Sequence, residues 1–388
     1  MVHPIFADLP TTIFEEMSGL ARARDAINLG QGFPDAPGPH AVRAKAADEV
    51  LNGYNQYPPM AGLPDLRQAV AAHYGATQGL DLDWAHEVTV TSGATEALAA
   101  AFLALVTPGD EVVVFQPVYD AYLPMIRRAG GVPKLVSLQP PHWRFDRAML
   151  EAAFSAKTRF VVLNNPLNPC GTVASEEDLA LLAELCVAHD VIAICDEVWE
   201  QVVFAPARHR PLMAFPGMRE RCVKIGSAGK QFGLTGWKVG YLCAAPVLTH
   251  ALARAHQFLT FTTPPNLQAA VAWGLTNSGD WFSQMPVDLA ASRDRLAEGL
   301  RREGFGVLPS AGTYFLTVDL PASGVVEADR AFALRAVTEA GVASIPVSAL
   351  YERDPVTTIL RLCFSKADAT LDEGVRRLAK ARELSLKA

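Results

Sequence analysis

The sequence has no CxxC pair, no HExxH or comparable metal spacing among its nine histidines, and no run of lysines and arginines. Its six cysteines, Cys170, Cys186, Cys195, Cys222, Cys243 and Cys363, stand nine or more residues apart. That spacing argues for reduced thiols and a cytoplasmic setting rather than a disulfide framework. Cys195 and Cys222 lie in apolar, strand-like runs, where core packing is the ordinary role. No metal site is expected. A formal net charge of -7 without a basic tract argues against a nucleic-acid footprint. The longest purely apolar run, Ala97 to Val106, is too short to span a bilayer and stops at Pro108-Gly109. Met1 to Glu16 has no basic region followed by an apolar stretch, so neither membrane segment nor signal peptide is expected.

What is present is a globular composition. Of 388 residues, 50% are hydrophobic and 19% charged, enough for a large core in two or three lobes. Residues 1 to about 40 read as an arm, because Gly30 to Pro39 is too rich in Pro, Gly and Asp for a helix or central strand. Helices are expected at His40 to Asn52 and Pro64 to Tyr74. From Glu87 to Cys195, strands alternate with helices. The strands are Glu87 to Thr91, Glu111 to Phe115, Val132 to Ser137, Arg159 to Leu163 and Val191 to Cys195. This alternation predicts a mostly parallel sheet covered on both faces. After a helix over about 285 to 303, short strands and two helices predict a smaller α+β unit. The expected division is an arm over 1–45 that is part of the small domain, a large domain over 46–284 and a small domain over 285–388.

Chemistry in parallel α/β sheets sits beyond the carboxyl ends of the strands. Four candidate strands end in polar groups. Thr91-Ser92-Gly93-Ala94-Thr95 opens a helix, and small residues there expose N–H groups to an anion, although simple N-capping by Ser92 or Thr95 reads equally well. Asn164-Asn165-Pro166-Leu167-Asn168-Pro169 follows the next. Asp196 follows five apolar residues and is therefore sheltered, so it needs a cationic or hydrogen-bonding partner. Ser227-Ala228-Gly229-Lys230 follows Cys222 to Gly226. A sheltered lysine has a lowered pKa and becomes a nucleophilic amine. The segment is not a phosphate-binding loop of the GxxxxGK type, since Lys224 stands where the first glycine is required. An amine for an aldehyde, a carboxylate for a pyridinium nitrogen and donors for a phosphate are together what pyridoxal phosphate requires.

Over nearly its whole length the chain resembles the fold-type I, class I/II aminotransferases, in the branch with kynurenine, glutamine-phenylpyruvate and methionine aminotransferases. The phrases that carry the resemblance are Asn28-Leu29-Gly30-Gln31-Gly32-Phe33-Pro34-Asp35, Asn164-x-Pro166-x-Asn168-Pro169, Asp196-Glu197-Val198, Ser227-Ala228-Gly229-Lys230, Thr235-Gly236-Trp237-Lys238-Val239-Gly240 and Arg361-Leu362-Cys363-Phe364. The resemblance implies a large α/β domain with a mostly parallel sheet of the seven-stranded type and a smaller α+β domain. It implies that Lys230 holds pyridoxal 5'-phosphate as a Schiff base, Asp196 pairs with the ring nitrogen and Asn168 with the 3-oxygen. It further implies that Tyr119 stacks on the ring and acts in catalysis. Gly93, Ala94, Thr95, Ser227 and Lys238 are implied in phosphate binding. Tyr57 is implied to complete the site of a second copy in a homodimer, and Arg361, with Asn168 and Gly32, to hold the substrate α-carboxylate. Where the family usually has tyrosine three places after the aspartate, this chain has Trp199. Its indole N–H donates but cannot ionise, so either Trp199 replaces that donor or Asn168 serves alone.

The implied reaction is a ping-pong transamination from an L-amino acid to a 2-oxo acid, with Lys230 moving the proton. Phe14, Phe33 and Phe261, with Tyr57 and Tyr119, point to a methionine, glutamine or aromatic donor. The alternatives are β-elimination from cysteine conjugates and transamination of succinylated diaminopimelate. A cofactor-binding regulator is a third reading, disfavoured because the chain has no basic patch and no room for a DNA-binding module before Gly30.

Overall fold

The computed structural model describes residues 2–7 and 9–387. A seven-stranded sheet runs in the order Val88–Thr91, Gly240–Cys243, Cys222–Ser227, Ile192–Asp196, Thr158–Asn164, Glu111–Gln116, Val132–Ser137. The last five are parallel, and Gly240–Cys243 runs antiparallel to both its neighbours. Successive side chains of a strand point to opposite faces, and here both faces are buried. Val112, Val114, Phe160, Val162, Ile194 and Val223 pack with Leu98 and Phe102 on one side. Val113, Phe115, Val161, Leu163, Ala193 and Cys195 pack with Tyr74, Leu179 and Leu182 on the other. The fold class is thus α/β, as the alternation predicts.

A third apolar cluster lies around the antiparallel sheet of Ile345–Pro346, Ile359–Cys363, Phe315–Asp319 and Gly306–Val307. The arm belongs to this cluster. Its helix Ile13–Ala23 buries Ile13, Met17 and Ala21 there, and Ile27–Asn28 pairs in parallel with Val342–Ala343. The extended run from Val342 to Pro346 is therefore two strands, because Ile345–Pro346 pairs instead with Ile359–Cys363.

Other elements depart from the sequence pattern. Helices Pro246–Leu259 and Pro265–Asn277 were not expected, although a proline at the first helical position marks both starts. The helix expected from about 285 begins at Gly279 and carries Pro286 inside it. The division expected at 284/285 falls within this helix. Trp281 near its start donates to the Gln231 carbonyl at 2.8 Å, whereas Met285 and Leu296 lie in the third cluster. Among the described residues, no helix is long and apolar enough to cross a membrane.

Beneath the strand ends lies a buried ion network. Lys224 donates to Glu197 and Glu200, and all three side chains are fully buried. Glu200 also accepts from Tyr74 at 2.7 Å, Gln78 at 2.7 Å and Gln231 at 3.0 Å. His209 sits 3.3 Å from Glu197. Burial alone would raise the Glu197 pKa, but Lys224 and His209 outweigh it and bring it to about 2. Burial likewise opposes the charge on Lys224, and the two carboxylates more than offset it. Because the Glu197 pKa is depressed, its contribution to stability is complete above about pH 4.5 and is lost as pH falls towards 2. Lys224→Met strands two buried carboxylates. Urea unfolding of that variant at pH 7 is expected to show a loss of about 3–5 kcal/mol, with Lys224→Met/Glu197→Gln/Glu200→Gln recovering much of it.

Candidate active site

Asn164, Asp196 and Ser227 are the last residues of three adjacent parallel strands, and Asn164 stands in register with Asp196. They open onto a cleft of about 190 Å³. Gly93, Ala94, Thr95, Tyr119, Asn168, Trp199, Lys230 and Lys238 also line it. Asp196 is the one carboxylate among the described residues of that lining. Its Oδ2 accepts from the Tyr122 hydroxyl, while its Oδ1 is buried with no hydrogen-bond partner. Burial pushes its pKa up to about 6, against the pull of Tyr122. At neutral pH it is a charged, half-satisfied acceptor, a state that calls for a cationic N–H donor.

Lys230 follows Ser227, whose hydroxyl caps the short helical turn Ala228–Gln231. Burial pushes the lysine pKa down to about 8. Arg361 and Lys238 add to this effect, and Cys363 and Asp196 oppose it. The Lys230 Nζ donates to the Tyr314 hydroxyl at 3.2 Å and lies 4.7 Å from the centre of the Trp199 ring. Trp199 thus faces the lysine with its π surface.

The helix Ala94–Leu105 starts from Gly93 at φ 78 with no side-chain cap, so neither Ser92 nor Thr95 claims its first N–H groups. Glu96 instead accepts the N–H of Ser92 at 3.1 Å. A Cβ on Gly240 would stand 2.7 Å from the Gly93 carbonyl carbon and 2.8 Å from the Ala94 nitrogen, so only glycine permits this approach. A Cβ on Gly93 would meet the Lys238 Nζ at 3.5 Å, which puts that ammonium at the helix start. Free N–H groups and a cation at a helix N-terminus form an anion cradle.

Arg361 is 2% exposed. Its Nη1 donates to Asn168 Oδ1 at 3.0 Å and its Nη2 to the Gly30 carbonyl, while its Nε is buried without a partner. No carboxylate pairs with it among the described residues. Phe315 and Phe14 cover its guanidinium at 4.0 and 4.9 Å. Burial lowers its pKa to about 10, which still leaves it charged at neutral pH.

Of the other expected residues, Gly32 turns its carbonyl to the Tyr314 hydroxyl at 2.7 Å. Phe33 lies on Lys366, 4.5 Å from its Nζ. Phe261 and Tyr57 meet edge to face at 5.6 Å. Tyr57 is 80% exposed, and Phe33, Phe261 and Tyr57 do not line the cleft. Sequence reasoning missed Tyr122, Tyr314 and Asn164. Asn164 was visible in its motif but given no role. It donates to the Asp196 carbonyl at 3.0 Å and accepts the Asn168 N–H at 2.8 Å. Tyr314, 84 residues beyond Lys230, leaves no local signal.

A lowered lysine, an unpaired buried carboxylate oxygen, an anion cradle and a guanidinium awaiting a carboxylate, on this sheet, define a pyridoxal-phosphate enzyme of fold type I. The sequence matches Aminotransferase class I and II over residues 24–378, and the chain belongs to that family, whose members use pyridoxal 5'-phosphate. It is 42% identical to a probable N-succinyldiaminopimelate aminotransferase of Mycobacterium tuberculosis, over 96% of each chain. It is 42% identical to methionine aminotransferase of Escherichia coli, over 95% of this chain and 96% of that one. A solved N-succinyldiaminopimelate aminotransferase from Mycobacterium tuberculosis superposes with a TM-score of 0.95 and 42% identity, over 98% of this chain and 100% of that chain.

The residues present fit the cofactor. The bare Asp196 Oδ1 suits a ring N–H, the Gly93–Gly240 approach and Lys238 suit a phosphate, and Lys230 suits an aldehyde. Because the Lys230 amine is the reactive form, Schiff-base formation should accelerate as pH rises through about 8. Stopped-flow absorbance after mixing pyridoxal phosphate with the cofactor-free chain is expected to trace that rise.

Proposed function

We propose that the chain transfers the α-amino group of an L-amino acid to a 2-oxo acid in two half-reactions, with methionine, glutamine or an aromatic amino acid as donor. The observation that carries the reading is Lys230 in one cleft with the bare Asp196 Oδ1, its charge favoured by Asp196 and opposed by a buried Arg361 that lacks a carboxylate. The bound cofactor supplies an electron-withdrawing ring that stabilises negative charge at the substrate Cα. Asp196 holds the ring nitrogen protonated through its bare Oδ1. Tyr119 and Asn168, both in the cleft lining, would hold the ring, Tyr119 by its face and Asn168 as a donor to the 3-oxygen. Trp199, with its face towards Lys230, leaves that oxygen to Asn168. The Gly93, Ala94 and Thr95 amides, with Ser227 and Lys238, hold the phosphate.

Arg361 and Asn168 fix the substrate α-carboxylate with the Gly32 backbone beside them, so the Cα–H bond points at Lys230. The Lys230 amine would take the proton from Cα and hold it for return as general acid. Hydrolysis then frees the oxo acid, and a second oxo acid runs the steps in reverse.

The donor preference rests on charge. The cleft lining contains Lys230 and Lys238, both already assigned, and no third cation for an acidic side chain. Phe14 on Arg361 adds apolar surface. The equal 42% identity to the Mycobacterium tuberculosis relative supports succinylated diaminopimelate as a second reading. A homodimer is part of the proposal. Leu51, Tyr54, Tyr57 and Phe258 are exposed, and a second copy covering them brings its Tyr57 towards the phosphate.

The deciding measurement is the visible spectrum of the purified protein before and after L-methionine, without oxo acid. A yellow band that gives way to the pyridoxamine form is expected. A band moved only by glutamate overturns the preference, and no band after adding pyridoxal phosphate overturns the reading. Lys230→Ala is expected to lower turnover by roughly 10²–10⁴-fold. Arg361→Lys keeps the charge but loses the planar fork, and is expected to raise the donor KM far more than it lowers kcat.

A further inference from the structure

Tyr314 lies outside every motif that the sequence offers, yet it is the residue to which the Lys230 amine is bound. It is buried, just ahead of the strand Phe315–Asp319. Its hydroxyl makes two contacts of different kinds. It donates its single proton to the Gly32 carbonyl at 2.7 Å. That proton being committed, the oxygen can only accept from the Lys230 Nζ, at 3.2 Å. Trp199 completes the arrangement, its ring meeting Tyr314 edge-on at 4.4 Å while its face lies 4.7 Å from the same Nζ.

We propose that Tyr314 is a positioning residue for Lys230: its hydroxyl oxygen and the Trp199 face hold the free amine by its N–H side, which leaves the nitrogen lone pair directed away from Tyr314. The inference rests on the transamination reading, in which Lys230 is a free amine whenever substrate occupies the cofactor. Lys230 gains the Cα proton and gives it up again, and Tyr314 neither gains nor loses one. Both Tyr314 and Trp199 favour the ammonium form, one as a hydrogen-bond acceptor and the other through its π face. The other charged and titratable groups acting on the amine are Asp196 and Cys363, which also favour its charge, and Arg361 and Lys238, which oppose it. The same contact ties the lysine to the substrate clamp, because Gly30, two residues before Gly32, takes a hydrogen bond from Arg361.

The test is Tyr314→Phe, which keeps the ring and deletes the oxygen. In the cofactor-free chain mixed with pyridoxal phosphate, the pH midpoint of band growth is expected to fall below the wild-type value, since an acceptor for the ammonium is gone. In the holoenzyme with L-methionine, or L-glutamate should methionine leave the band unmoved, kcat is expected to drop about tenfold with KM nearly constant. The isotope effect with the α-deuterated donor should grow, because proton removal becomes more limiting. An unchanged midpoint and isotope effect would overturn the proposal. So would a change confined to KM, which would leave Tyr314 as a prop for the Gly30–Gly32 segment alone. A wild-type protein that forms no band overturns the transamination reading and this inference with it. Trp199→Phe provides a second variant, expected to move the midpoint in the same direction by less. A midpoint that moves upward counts against the shared hold.

Discussion

A carboxylate shut away from water, with one oxygen engaged and the other bare, is the constraint on which the site depends. Tyr122 holds Oδ2 of Asp196 and thereby fixes where Oδ1 faces. Only a cationic N–H donor satisfies such an oxygen without leaving a buried charge uncompensated. The rest of the cleft has the opposite imbalance. Lys230 and Lys238 in the lining, with Arg361 beside Asn168, outnumber Asp196. Such a site is complementary to a molecule with a protonated ring nitrogen at one end and a phosphate at the other, next to a second molecule with a carboxylate.

The segment Asp196-Glu197-Val198-Trp199-Glu200 serves two environments. Asp196 and Trp199 line the cleft, whereas Glu197 and Glu200 turn to Lys224 in the layer below. Lys224 lies on the strand that ends at Ser227, so the ion network clamps the segment carrying Asp196 to the strand leading into Lys230. Glu197, Glu200 and His209 stand close enough together to resemble a metal site, but the Lys224 ammonium already supplies the positive charge among them. Position rather than stability is what such a buried pair best secures.

Much of this was legible in the chain because it is written in short range. Apolar strands that end in Asn164, Asp196 and Ser227 announce both the sheet and the edge where chemistry collects. Lys230 and Lys238 are set among glycines whose close approaches demand them, as at Gly240. What escaped was long range or ambiguous. The Tyr314–Lys230 and Tyr122–Asp196 contacts join residues 84 and 74 apart, and no local pattern encodes a partner at that distance. Pro286 is a residue that ordinarily breaks a helix interior, yet it sits inside Gly279–Arg302, where tertiary packing overrides the local preference. The strand break at Ser344 is set by two different partners, Ile27–Asn28 and Ile359–Cys363, and neither is visible from within Val342 to Ile345.

The arm segment from Leu29 to Asp35 is fastened to the far end of the chain. Leu29 accepts from the Cys363 N–H, Gly30 from Arg361, Gly32 from Tyr314, and Phe33 and Asp35 from Lys366. Some of these bonds span more than 330 residues. During synthesis the strands and loops around Asp196, Lys230 and Lys238 are complete once residue 243 has emerged. The segment Leu29 to Asp35 must then wait for Tyr314, and further still for Arg361, Cys363 and Lys366, before it finds its partners. The half of the site around Asp196 and Lys230 can therefore form before the half around Arg361, which closes only after the strand Ile359–Cys363 has been made.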